Sequence, residues 1–155
     1  PAAPTVASGK PENIAKLTAP IVESVLRRAL ELAEKSDHRG QCALAAPDLV
    51  FKLTDHSSSP AAVYSGGRRE ICDLQLQSAQ AMQASGLRSS IRLGKTDIRI
   101  NADGTQATVK SETASAISMQ GQHLLTMQCT REEVFGLYSG SVLYQRVNAT
   151  CRPVG

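Results

Sequence analysis

Between residues 19 and 36 apolar side chains recur at Val22, Val25, Leu26, Ala29, Leu30 and Ala33, the spacing of one helix face. Glu23, Arg27, Arg28, Glu31, Glu34 and Lys35 occupy the other side. The pattern predicts a long amphipathic helix, with Thr18 placed to cap it and Pro20 tolerated in its first turn. A helical turn is expected just before it, around Ile14 and Leu17, and another over residues 41–46, ended by Pro47. Residues 49–54 then read as a short strand, 55–60 as a polar loop and 62–64 as a second short strand. Gly66 and Gly67 open a second helix over about 68–84, which Gly86 closes as a left-handed cap.

From Leu87 onward the period changes from helical to alternating. β-branched residues and glycine-containing turns at residues 101–104, 119–121 and 138–140 divide this half into strands at about 89–100, 105–118, 122–137 and 141–152. The predicted fold is α+β: a long N-terminal helix and a second helix packed on a curved antiparallel meander, a cone-like half-barrel. Folding the last hairpin about Ser139 places residues whose numbers sum to about 280 opposite one another, so Cys129 faces Cys151. Leu125 and Met127 share a face with the first cysteine, and Leu143, Val147 and Ala149 with the second. Both sulfurs are therefore expected on the apolar side, as a cross-strand disulfide or as neighbouring buried thiols. The same register sets Glu133 beside Val147, and a β-bulge over residues 131–133 would relieve that. Cys42 and Cys72 can pair if the helical segments that carry them meet at one end of the sheet. Two small buried hydrophobes satisfy that pattern equally.

At 155 residues and 41% apolar content, the chain is sized for one domain over residues 14–155 behind a flexible leader, 1–13. A net charge of +3 with no basic run excludes a nucleic-acid partner, and the absence of a long apolar stretch excludes a membrane span. No histidine or cysteine spacing suits zinc, and no nucleotide or dinucleotide fingerprint is present, so neither a metal nor a cofactor is expected. An even cysteine count and the Pro-Ala start favour a periplasmic or secreted protein.

Chemistry-bearing residues are few. Asp55 and His56 are the one adjacent acid and imidazole, able to shuttle a proton if partly buried, or simply the start of a polar loop. His123 at a strand start reads as a half-exposed strand residue, and His38 as a complement to a helix dipole. Gly66, Gly67, Arg68 and Arg69 could hold an anion at a helix start, although close packing explains the glycines equally.

Three segments, taken in order, carry a resemblance. Residues 45–51 (Ala-Ala-Pro-Asp-Leu-Val-Phe) give an acidic residue followed by an apolar strand. Residues 64–71 (Tyr-Ser-Gly-Gly-Arg-Arg-Glu-Ile) give a glycine, a charged pair and an isoleucine, and residues 98–109 a glycine-turn hairpin ending Ala-Thr-Val. Together, over residues 14–152, the chain resembles the nuclear transport factor 2-like superfamily. The resemblance implies a sheet curled into a cone around a pocket, with Phe51, Thr126 and Gln128 as ligand-binding candidates. In the ketosteroid isomerases of that superfamily a carboxylate base follows the first strand, where Asp55 sits. Their acid position holds Thr126 and Gln128 here, and the long helix has no tyrosine, which departs from that chemistry. The first expectation is thus an exported, non-enzymatic module that binds a small apolar molecule or another protein, or pairs with itself through the sheet face. The competing one is a small lyase, isomerase or hydrolase with Asp55 and His56 as base and Tyr64 or Tyr144 as hydrogen-bond donor.

Overall fold

A computed structural model describes residues 13–155, so the leader reading lies, Asn13 apart, outside the described residues. Thr18 is extended and its hydroxyl accepts from the Ile21 N–H, starting α1 (Ala19–Glu34). The turn expected before it does not form. Ile14 N–H donates instead to the Gly140 carbonyl (2.9 Å) and Leu17 N–H to that of Gly104 (2.7 Å). Two tight turns of the sheet thereby offer this segment the partners that a local helix would have given it, and Leu17 is buried there. A Cβ on Gly140 would lie 2.8 Å from the Asn13 backbone, so this docking needs glycine at that turn.

Asp37 caps the six-residue α2 (His38–Ala43), accepting from the Gly40 N–H. This helix ends before residue 46, because β1 (Ala45–Asp55) already begins ahead of Pro47. Proline has no N–H to give a ladder, and the pairing of β1 with the last strand is interrupted there, between Ala45 and Val50. β2 (Ala62–Gly66) folds back antiparallel on β1 at the sheet edge. α3 (Arg68–Ala84) follows, and its Glu70 carboxylate accepts from the Gly67 N–H at 2.8 Å. The chain's own carboxylate thus takes the Gly67 N–H, and Arg68 donates to the carbonyls of Ala45 and Cys42, which engages two of the groups expected to hold an anion.

The remaining strands, β3 (Leu87–Ile100), β4 (Gln106–Met119), β5 (Gln122–Tyr138) and β6 (Ser141–Val154), form the expected antiparallel meander. The full sheet, ordered β2-β1-β6-β5-β4-β3, is curved, unclosed and mixed, because β1 runs parallel to β6. Val22, Val25 and Leu26 of α1 pack into a core with Leu17, Phe51, Val109, Phe135 and Val142. A fully buried side chain of this size stabilises the fold by about 1.5–3 kcal/mol.

Cys129 lies opposite Cys151 and is bonded to it; Cys42 of α2 is bonded to Cys72 of α3 (Cα–Cα 5.1 Å). Glu133 does face Val147, but no bulge occurs at residues 131–133. The slip falls at Gln145, which is skipped between the Val134–Arg146 and Phe135–Tyr144 pairs. The face therefore changes in β6 and not in β5: Val142 and Tyr144 join Val147 and Ala149 on the buried side, and Leu143 does not. Gln145 is held by a 2.7 Å hydrogen bond from the Gln106 amide, and Glu133 keeps pointing inward.

Candidate functional site

Alternation along β4 and β5 sends Thr113, Ser115 and Ile117, and Met127, Cys129, Arg131 and Glu133, into the concave side of the sheet. Facing them are Ala29, Leu30 and Ala33 of α1 and Ile71 and Gln75 of α3. The helical stripe explains this space. Val22, Val25 and Leu26 are buried, whereas Ala29, Leu30 and Ala33, further along the same stripe, are only half-buried and line a cavity. Its inner chamber is about 180 Å³ and its outer chamber about 420 Å³. Ala33, Gln41, Ile71, Gln75, Ile91 and Arg131 belong to both walls, so the two adjoin.

The inner wall carries an ion pair. Glu133 has no exposed surface, and its Oε2 accepts from Arg131 Nη2 (2.8 Å) and Nε (3.2 Å). Arg131 is 26% exposed and borders both chambers. The buried carboxylate beside it raises the arginine's pKa further above its ordinary value, outweighing the opposing effect of burial. The second carboxylate oxygen, Glu133 Oε1, has no hydrogen-bond partner among the described residues, and neither has Gln75 Oε1. An acceptor left so in a protein interior costs about 1–3 kcal/mol. Tyr144 lies in the same wall, its ring 4.3 Å from that of Phe135. Burial, and then the nearby Glu133 charge, push its phenol well above the ordinary range, so it stays protonated.

Asp55 and Tyr144, expected to act together, are placed apart, whereas Tyr64 pairs with Leu53, two residues from Asp55. Asp55 borders the outer chamber and accepts from the Ser57 N–H. Tyr144 borders the inner one, and along β6 it stands seven residues before Cys151, the partner of Asp55. At about 3.3 Å per residue the two are separated by roughly 20 Å. His56 is exposed in the loop, and Tyr64 is exposed on the edge strand. Phe51 is buried in the core below the chambers and lines neither. Thr126 and Gln128 fall between the inward residues of β5, which directs them to the outer face, where Thr126 hydrogen-bonds His123 (2.8 Å). Sequence reasoning thus missed Arg131, Glu133 and Gln75. A signal existed: Arg131 and Glu133 continue the parity of Met127 and Cys129, and Gln75 follows Ile71 by one helical turn.

The outer face is different in character. Lys95, Arg99 and Lys110 alternate there with Asp97, Glu112 and Glu132 around an open hollow, so this part of the face is polar and mixed in charge, while Val50 and Leu124 are exposed elsewhere on the sheet.

No protein-family model matches the chain, and neither does the sequence of any curated protein. Solved structures do match. An NTF2-like protein with a cystatin-like fold from Novosphingobium aromaticivorans is 18% identical, with a TM-score of 0.64 over 83% of this chain and 78% of its own. The β subunit of benzoate 1,2-dioxygenase from Burkholderia mallei is 12% identical, with a TM-score of 0.71 over 87% and 91%. A protein of Catenulispora acidiphila in complex with S-DNPA is 13% identical, with a TM-score of 0.63 over 84% and 90%. At these identities the likeness is one of backbone, and it agrees with the helices and the curved mixed sheet described above: the chain has the nuclear transport factor 2-like, cystatin-like fold.

Proposed function

We propose that this chain is an exported, non-enzymatic binding module whose cone holds one small, largely apolar molecule. The observation that carries the reading is the two-chambered cavity. About half of its lining is aliphatic, with Gln75, Arg131 and Glu133 in the inner wall and serines and Asp55 along the outer one, the composition of a ligand site more than of a reaction centre. A 150 Å³ apolar cavity is large enough for benzene, so the inner chamber suits a single ring and the outer one the rest of a larger molecule. The wide separation of Asp55 from Tyr144, and the exposure of His56 and Tyr64, favour binding over proton transfer by those groups. The polar hollow on the outer face favours the cavity over docking through that part of the sheet. The Catenulispora neighbour, in complex with S-DNPA, is consistent with a small molecule held on this backbone. Two disulfides suit an oxidising compartment, which supports the exported placement.

The test is an amide-resolved NMR titration of the disulfide-bonded protein with indole and with toluene. Shifts are expected at Leu30, Ala33, Ile91 and Ser115 and not at Glu112 or Glu132, and Ala33→Phe, which places a ring where the two chambers adjoin, is expected to abolish them. Shifts scattered over the outer face, or unaffected by the phenylalanine, would refute the reading.

A further inference from the structure

The polar groups in the cone wall are not a neutral lining; they select the chemistry of what enters. Arg131 and Glu133 cancel each other's charge, so the inner chamber has no net charge with which to hold an ion. A carboxylate approaching Arg131 would meet Glu133, and an ammonium approaching Glu133 would meet Arg131. Hydrogen-bonding capacity, by contrast, is unbalanced. Both of the guanidinium bonds go to Oε2, which leaves Glu133 Oε1 without a donor, and Gln75 Oε1 from the opposite wall is in the same condition. Arg131 keeps further N–H groups on its accessible side, but the buried atoms of the inner wall that lack any partner among the described residues are these two acceptors.

We infer that the ligand is an uncharged molecule with an apolar body that presents at least one hydroxyl or N–H donor to Glu133 Oε1, with Gln75 Oε1 as a second acceptor. This rests on the binding reading above and narrows it. The two oxygens lie just behind the cavity wall and carry almost no exposed surface. The donor reaches them with a change of rotamer at Gln75, whose long side chain is only partly buried and borders both chambers. Thr113 and Ser115, on the neighbouring strand, line the inner chamber and add hydroxyls able to bond to a second polar group on the same molecule.

Four single-ring probes of similar size separate the alternatives: phenol, which donates; anisole, which only accepts; benzoate, an anion; and benzylammonium, a cation. Dissociation constants would be measured by NMR titration of the disulfide-bonded chain. Phenol is expected to bind at least roughly tenfold more tightly than anisole, as a donor on a charged acceptor should, and more tightly than either ion. Glu133→Gln is expected to narrow the gap between phenol and anisole. Gln75→Leu, at a partly exposed helix position that tolerates change, is expected to narrow it by a smaller factor and covers the case in which the first variant does not fold. Anisole or benzoate binding in the cavity as tightly as phenol would overturn the ligand class while leaving the binding reading intact. No probe shifting any cavity amide would overturn both.

Discussion

Replacing Arg131 with methionine tests whether the buried carboxylate depends on its partner. In the parent chain Glu133 is fully buried and receives two N–H donors from the guanidinium, at 2.8 and 3.2 Å. Methionine keeps much of the arginine's volume but removes both donors and the charge, stranding a carboxylate between α1, α3 and the sheet. Breaking a buried pair in this way costs about 3–5 kcal/mol. Arg131 is itself about a quarter exposed, and water that reaches its position from the outer chamber places the loss nearer ~3 kcal/mol. That is a large share of the roughly 5–15 kcal/mol by which domains are stable. At this chain length it corresponds to a fall in Tm of about 6–12 °C. The double variant, Arg131→Met with Glu133→Leu, removes both desolvated charges and should return to within about 1 kcal/mol of the parent, or exceed it. Urea unfolding followed by circular dichroism, with disulfides intact, gives both values and checks that the m-value is unchanged. A loss below ~1 kcal/mol for Arg131→Met, or a double variant that simply adds the two single losses, would refute the argument that the pair is energetically coupled.

Three further outcomes are expected. Reduction should raise the mass by two hydrogens for each of the two disulfides, and replacing Cys42 and Cys72 by alanine should cost about 3–4 kcal/mol for a cross-link spanning 30 residues, measured by urea unfolding of the oxidised protein. Tyr138 donates to Asp48 at 2.7 Å, and burial, then that hydrogen bond, push its phenol up to about 12. A pKa raised on folding means that the native state holds the proton more tightly, so this contribution to stability is complete below pH 10 and is lost as pH rises from 10 towards 12. Ultraviolet difference titration should show this late ionisation in the parent, and an earlier one in Asp48→Asn.

Much of the architecture could be read from periodicity. The amphipathic stripe of α1, the glycine turns and the alternation after Leu87 each follow from short-range geometry, and the turn at Ser139 brings Cys129 to within one residue of Cys151, the slip at Gln145 completing the register. What escaped depends on partners distant in sequence. Leu17 forgoes a local turn because the Gly104 carbonyl is available to it, a contact that exists only after the sheet has formed. The slip at Gln145 reverses the faces of Val142 and Leu143, and nothing around residue 145 marks it. The site was harder still. Asp55 and His56 stand out as an acid and an imidazole at an expected mouth, and Thr126 and Gln128 through the resemblance alone, yet parity along β5 puts Thr126 and Gln128 outside, and the distance along β6 parts Asp55 from Tyr144. Arg131 and Glu133 follow the same parity inward, but two opposite charges two residues apart on a strand look like a solvated surface pair until the helices covering them are in place.

The side-by-side run of β1 with β6 bears on how the chain is made. Residues 45–55 must wait for residues 144–151, about a hundred positions later, before their second edge is satisfied. Such long-range pairing slows folding, because loop-closure entropy is lost before the contacts that offset it exist. During synthesis at roughly 5–20 residues per second, β1 would spend several seconds with that edge open, and a chain truncated before β6 would never close it. The last dozen residues thus act as the fastener that completes the first strand.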